Sequence, residues 1–237
     1  MAFISDRWVE RLRDGTAAPS WPIHLVALVL VLGAPALIVA EFRSPSFVAE
    51  MARSSRVGSI VLVEAFLVVV GFAMSIGTWW SGRRDRRVLA RIRASNHRPA
   101  FFLPVLTKGL RTSEDLPHPR PEVWTFDTGG LHGWTPDRDT PVLGVPWPRI
   151  RRISLATKDS RGTRIDYALW FRLDGGDPLV LAPRTALGRP FEAGPGGLET
   201  LLPVVRALRL ELGHRATAEA STEAGGPTVG GEEHHRS

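Results

Sequence analysis

One carboxylate, Glu64, stands well inside the second of two apolar runs, Pro22 to Ala40 and Val57 to Trp80. It is about 10 Å from the start of its run at helical rise. A carboxylate in such a place suits a proton relay or a polar contact between helices. The alternative is that it snorkels outward or pairs with Arg43 or Arg56 at the nearer end. A second kind of chemistry follows the second run, where Arg83, Arg84, Arg86, Arg87, Arg91 and Arg93 crowd into one short segment. Such arginines fix the orientation of a membrane segment, and each is worth about 1 kcal/mol of attraction to anionic lipid when it lies near the surface. Arg149, Arg151 and Arg152 form a smaller basic group, a candidate lipid or partner face.

Catalytic and metal-binding signatures do not emerge. The chain has no cysteine, which removes thiol catalysis, disulfides and thiolate metal sites. Its seven histidines, at 24, 97, 118, 132, 214, 234 and 235, show no ligand spacing. Asp137-Arg-Asp139 imitates the D-x-D pair of sugar transferases but lies in a short polar loop, and reads as a solvated turn. Gly194, Gly196 and Gly197 precede a helix without the strand and lysine of a phosphate-binding loop, and no G-x-S-x-G is present. The expectation is a chain that is not an enzyme and takes neither cofactor nor metal.

The elements that carry these residues come next. As helices the 19 and 24 residues of the two runs reach about 28 and 36 Å, enough to cross a hydrocarbon core near 30 Å. They are continuous rather than alternating, which predicts a helical hairpin and excludes a barrel. The first run is longer than a signal-peptide core and lacks a small-x-small end, so an uncleaved anchor is expected. The arginine segment places the end of the second run in the cytoplasm, and with two spans the N-terminal segment, 1–21, falls there too. Trp21, Trp79 and Trp80 then sit at the same headgroup level. Ala73 and Gly77, four apart, offer a face for close helix approach. Val88, Leu89 and Ile92 share a helical face, so the basic segment reads as an extension of the second helix lying along the inner headgroups.

Residues 82–121 read as this basic segment plus a proline-rich linker, with an apolar island at Phe101 to Leu106 that suits a short strand. Beyond it the period becomes two. Val123 to Phe126, Leu131 to Thr135, Trp147 to Thr157, Arg164 to Leu173 and Pro178 to Ala182 read as antiparallel strands joined by turns such as Asp127-Thr-Gly-Gly and Asp174-Gly-Gly-Asp. Leu198, Leu201, Leu202, Val205, Leu208 and Leu212 form the stripe of one amphipathic helix that Gly213 ends, with Pro203 in about its first turn. The tail, 215–237, lacks apolar periodicity and reads as disordered. Of 30 basic residues only Lys108 and Lys158 are lysines, a bias that fits a GC-rich genome better than nucleic-acid binding.

Phe126-Asp-Thr-Gly-Gly-Leu131, Val145-Pro-Trp-Pro-Arg-Ile150 and the strand-turn-strand around Asp174-Gly-Gly resemble bacterial domains of the pleckstrin-homology (PH) superfold that occur beside transmembrane helices. The resemblance spans 122–214 and implies an antiparallel sheet of five to seven strands closed by a C-terminal helix. Trp147 of this motif reads as a core residue at the sheet edge rather than a ligand anchor. The fold class expected is thus a membrane protein: a two-helix transmembrane hairpin, 22–81, and a cytoplasmic α+β PH-like domain at the inner membrane of a bacterium. The function expected is binding or scaffolding through a protein partner or self-association, with no nucleic acid. Anionic-lipid sensing is the alternative, and a transport or envelope accessory role using Glu64 a further one.

Overall fold

The computed structural model describes residues 2–43, 56–95, 97–106, 116, 118–160 and 162–224. Helix α1, Ala2–Asp14, ends at Gly15. That residue takes φ +60°, and the Thr16 N–H returns to the Arg11 carbonyl at 2.9 Å, the six-to-one bond of a glycine-capped helix end. Helix α2, Trp21–Phe42, contains Pro35. Helix α3, Arg56–Ala94, is a single helix of 39 residues, about 58 Å long.

The apolar windows of α2 and α3 are only 17% and 11% buried. They expose Leu25, Leu28, Val29, Leu32, Phe66, Val69 and Phe72 among others. Between them runs a narrow seam. On α2 the buried residues are Ile23, Ala27 and Ala34; on α3 they are Glu64, Gly71 and Thr78, spaced by seven. A Cβ on Gly71 would stand 3.1 Å from the Ala27 carbonyl oxygen, so this glycine sets how closely the helices approach. The pair Ala73 and Gly77 does not do so: Ala73 is exposed, and beside Gly77 lies Pro190.

The remainder is α+β with antiparallel sheets. Strands β1 (Phe101–Pro104), β2 (Val123–Asp127), β3 (Gly130–Trp134) and β4 (Leu143–Pro146) form a four-stranded meander. A single 3₁₀ turn, Trp147–Arg149, leads into β5 (Ile150–Ser160), which pairs with β6 (Thr163–Leu173) and then β7 (Leu179–Leu181) in a second sheet. A bridge between Val105 and Pro183 brings the far edges together. Helix α4, Pro195–Ala224, covers the space between the sheets. Leu198, Leu201, Val205, Leu208 and Leu212 meet Phe101, Leu103, Trp124, Phe126, Leu131, Ile153 and Phe171 in one core, and Leu12 of α1 joins them.

The first sheet is covered on both faces. Its alternate residues Phe102, Val123 and Trp134 pack on Val88, Leu89 and Ile92 of α3 and on Leu187. The apolar face of the basic segment is therefore buried by protein and does not lie along headgroups. The segment continues α3 for about 21 Å past Trp80.

Several boundaries differ from the sequence reading. The island at 101–104 is a full sheet strand inside what reads as linker, because its partner β2 is the first strand of the domain. Strand β4 falls between the strands read at Leu131 to Thr135 and Trp147 to Thr157, where the sequence suggests none; pairing with β3 gives it an order that its own propensity does not. Residues 2–14, read only as an N-terminal segment, form α1. Helix α4 begins three residues early and passes through Gly213 to Ala224, so Pro203 is interior and part of the expected tail is helical. One glycine costs about 1 kcal/mol in a helix, and the Ala- and Glu-rich sequence after it offsets that. Pro203 and Glu199, whose carbonyl it leaves unbonded, are both exposed. The rest of the tail, 225–237, lies outside the described residues.

Candidate functional site at the hairpin–domain junction

The seven-residue repeat on α3 does not stop at the hairpin. Glu64, Gly71 and Thr78 face α2, and the next two steps, Asp85 and Ile92, face the sheet domain. One stripe of one helix thus serves two partners in turn. Asp85, the only acid among the six arginines, has 1% of its side chain exposed. Arg184, which follows β7, is 6% exposed and grips it with two parallel bonds, Nη2 to Oδ1 at 2.7 Å and Nη1 to Oδ2 at 3.0 Å. The Gly188 N–H donates to Oδ2 as well, and Arg184 Nη1 reaches Ser81 Oγ at 2.7 Å. This planar two-pronged match is the geometry in which an arginine–carboxylate pair is strongest.

Around this clamp three segments converge on residues 77–85 of α3. The loop 184–191 brings Gly188 and Pro190 against it, with Pro190 3.6 Å from a Cβ placed on Gly77. The stretch between α1 and α2 joins through the Ala18 N–H bonded to the Leu187 carbonyl at 3.0 Å. Glu122, at the entry to β2, pairs with Arg84. Burial pushes the Glu122 carboxyl above its ordinary value; Arg84 and Arg184 oppose this, and the Asp85 charge reinforces it. The desolvation of Glu122 therefore outweighs what its half-exposed partner returns.

The six arginines after the second run separate into two groups. Arg84 pairs with Glu122 and Arg91 with Asp139, while Arg83 sits over the Trp79 ring at 5.5 Å. Arg86, Arg87 and Arg93 are exposed and make no ion pair among the described residues. Arg149, Arg151 and Arg152 lie at the start of the second sheet, all exposed. Arg151 pairs with Asp174 at 2.7 Å, and its carbonyl accepts from Arg209. The first basic group lies on α3 and the second at the start of the second sheet.

In the hairpin, Glu64 is buried on the seam and its Oε2 has no hydrogen-bond partner. Arg43 is exposed, the side chain of Arg56 lies outside the described residues, and Glu64 makes no ion pair among those described. Thr78 Oγ1 is likewise buried and unpaired. The polar contact between the helices is made instead by His24 and Ser75, with Nδ1 and Oγ 2.9 Å apart. Trp147 is buried; its Nε1 donates to the Asp127 carbonyl at 2.7 Å and its ring meets Phe126.

Sequence spacing also hides a cluster that the fold assembles. His97, just beyond α3, and Asp127 and His132 of the β2–β3 hairpin bring their donor atoms within 4.8 Å of one another. Burial pushes the Asp127 carboxyl up, but the His132 hydrogen bond, the charges of His132 and His97 and the Gly129 N–H hold it below its ordinary value.

Asp85 leaves a faint trace in the sequence, an acid on the apolar face of Val88, Leu89 and Ile92; its partner, 99 residues away, leaves none. No family model, curated protein or solved structure matches the chain.

Proposed function

We propose that the chain is a membrane-anchored module whose PH-like domain is held at the cytoplasmic face of a bacterial inner membrane, where it binds a protein partner or a second copy of itself. The observation that carries this reading is the continuity of α3. One helix exposes Leu62, Phe66, Val69 and Phe72 on its first half, and its second half is locked into a folded domain through Asp85 and Arg184. Apolar exposure on that scale is untenable in water and natural in lipid. Two antiparallel sheets of four and three strands with a C-terminal helix between them support the PH-like assignment. The asymmetry of charge supports the orientation, since every arginine from 83 to 93 follows the second apolar run.

A binding role fits the surface better than catalysis does. Between the β2–β3 turn, Trp147 and α4 lies an open groove of about 720 Å³ lined by Thr128, Pro148, Leu210 and Ala216, with Leu210 64% exposed. A photo-crosslinker at Leu210 of the full chain in native membranes tests this. Adducts with a discrete protein or with the chain itself are expected, and none from the same probe at Asp159. Equal, diffuse adducts from both positions contradict it.

The lipid reading has one observation in its favour, the unpaired Arg86 and Arg87 within about 10 Å of Trp80 at helical rise. That is one screening length at ordinary salt. Arg93 stands about 20 Å away, so the attraction is weaker than a flat basic helix would give.

A further inference from the structure

We propose that His97, Asp127 and His132 form a binding site for a divalent transition ion of the zinc class, which fastens the end of α3 to the β2–β3 hairpin. Two imidazole nitrogens and one carboxylate oxygen are a donor set that suits zinc and excludes magnesium and calcium, which prefer oxygen alone. One donor atom from each of the three residues lies within 4.8 Å of the others, and Nε2 of each histidine contacts an oxygen of Asp127. Tetrahedral zinc with bonds near 2.1 Å needs donors about 3.4 Å apart, so the His97–Asp127 contact must open and the wider separations close, both by small side-chain rotations.

The division of labour at Asp127 strengthens the assignment. Oδ1 is occupied by the hairpin turn, accepting from the Gly129 N–H at 2.7 Å and the Gly130 N–H at 3.2 Å, with His132 Nε2 at 3.2 Å. Oδ2 is left over. It faces His97 Nε2, and although the two are in ion-pair contact both are buried without a hydrogen bond of ordinary geometry. The two side chains are 30% and 14% exposed; a proton shared between them satisfies both atoms, and an ion bound by both in its place does so as well.

The surroundings hold the ligands in place. The His97 ring packs edge-on to His132 at 5.3 Å and against Trp134 at 5.5 Å. At Gly129 a Cβ would stand 3.2 Å from Asp127 Oδ1 and 3.4 Å from His132 Nε2, so the absence of a side chain keeps one side of the cluster clear. Three protein ligands leave a fourth position for water or a further donor. Because His97 lies three positions beyond the end of α3, ion binding would tie the exit of the helix to the sheet on which it packs.

The test is zinc titration of the full chain in detergent, made metal-free first, with cobalt as a spectroscopic substitute. One equivalent, with the strong visible bands of tetrahedral cobalt, is expected for the wild type and for His234→Ala/His235→Ala, which removes the tail pair. Asp127→Asn keeps an oxygen for the turn, so it should still unfold cooperatively in chelator, at a midpoint lowered by the lost carboxylate charge, while binding zinc at least ~100-fold more weakly. His97→Ala/His132→Ala should lose the cobalt bands. Wild-type affinity in Asp127→Asn or in the double histidine variant, or loss of the equivalent with the tail pair alone, overturns the proposal.

Discussion

Replacing Asp85 by alanine would strand Arg184, 6% exposed, with its charge uncompensated inside the junction. Removal of one partner from a buried ion pair costs about 3–5 kcal/mol, far more than the pair is worth against apolar residues of similar shape. The Gly188 N–H loses its acceptor in the same step. For a domain of this size the loss lowers the midpoint of thermal unfolding by more than ~10 °C. Tryptophan fluorescence in micelles reads the transition, since Trp124 and Trp134 are fully buried. A double variant, Asp85→Leu/Arg184→Met, removes both charges together. It leaves Gly188 N–H and Ser81 Oγ without these partners, a residual cost of about 1–3 kcal/mol. The double variant should therefore be about 2 kcal/mol more stable than Asp85→Leu alone, and should lose far less than the sum of the Asp85→Leu and Arg184→Met effects. An Asp85→Ala protein within 1 kcal/mol of wild type, or a double variant that loses the sum of the single effects, would refute the clamp.

Glu122 gives a pH signature. Its carboxyl is raised above 4.5 in the folded chain, so the native state holds this proton more tightly than the unfolded state does. That contribution to stability is complete below pH 4.5 and is lost as pH rises through the folded value, so Glu122→Gln should flatten the decline and match or exceed wild-type stability at pH 7. A Gln variant less stable by over ~1 kcal/mol at pH 7 would mean that the Arg84 pair dominates instead. Gly71→Val drives a branched side chain into the Ala27 carbonyl and should splay the hairpin, read as a longer distance between spin labels on α2 and α3; an unchanged distance contradicts the seam. Glu64→Leu removes a buried oxygen that lacks a partner and should raise the unfolding midpoint of the hairpin by an amount worth about 1–3 kcal/mol; a fall would point to a partner in the assembled protein.

What the sequence reveals about this fold is local. The two apolar runs, the hairpin around Asp127 to Gly130 and the stripe from Leu198 to Leu212 each follow a period that a short window contains. What it conceals is set by tertiary contact. Phe101 to Pro104 suits a strand by its sequence, but its membership of the sheet follows only from β2 beside it, and α1 is a core element only because Leu12 reaches between β1 and α4. The arginines were legible as charge but not as contacts, since Glu122 and Asp139 lie 38 and 48 residues from Arg84 and Arg91. The Asp127–His132 half of the histidine cluster follows from register, because Thr125 opposes His132 and puts it diagonal to Asp127. His97 arrives from outside any periodic element.

The central claim is that the hairpin crosses a membrane and holds the sheet domain inside. A chain without cysteine permits a direct test, with single cysteines at Ser54, between the two apolar runs, and at Asp159, exposed at the end of β5. An impermeant maleimide applied to intact spheroplasts should label Ser54→Cys at once and Asp159→Cys only after the membrane is broken. The reverse order, immediate labelling of both positions, or a chain that leaves the membrane fraction in carbonate contradicts the account.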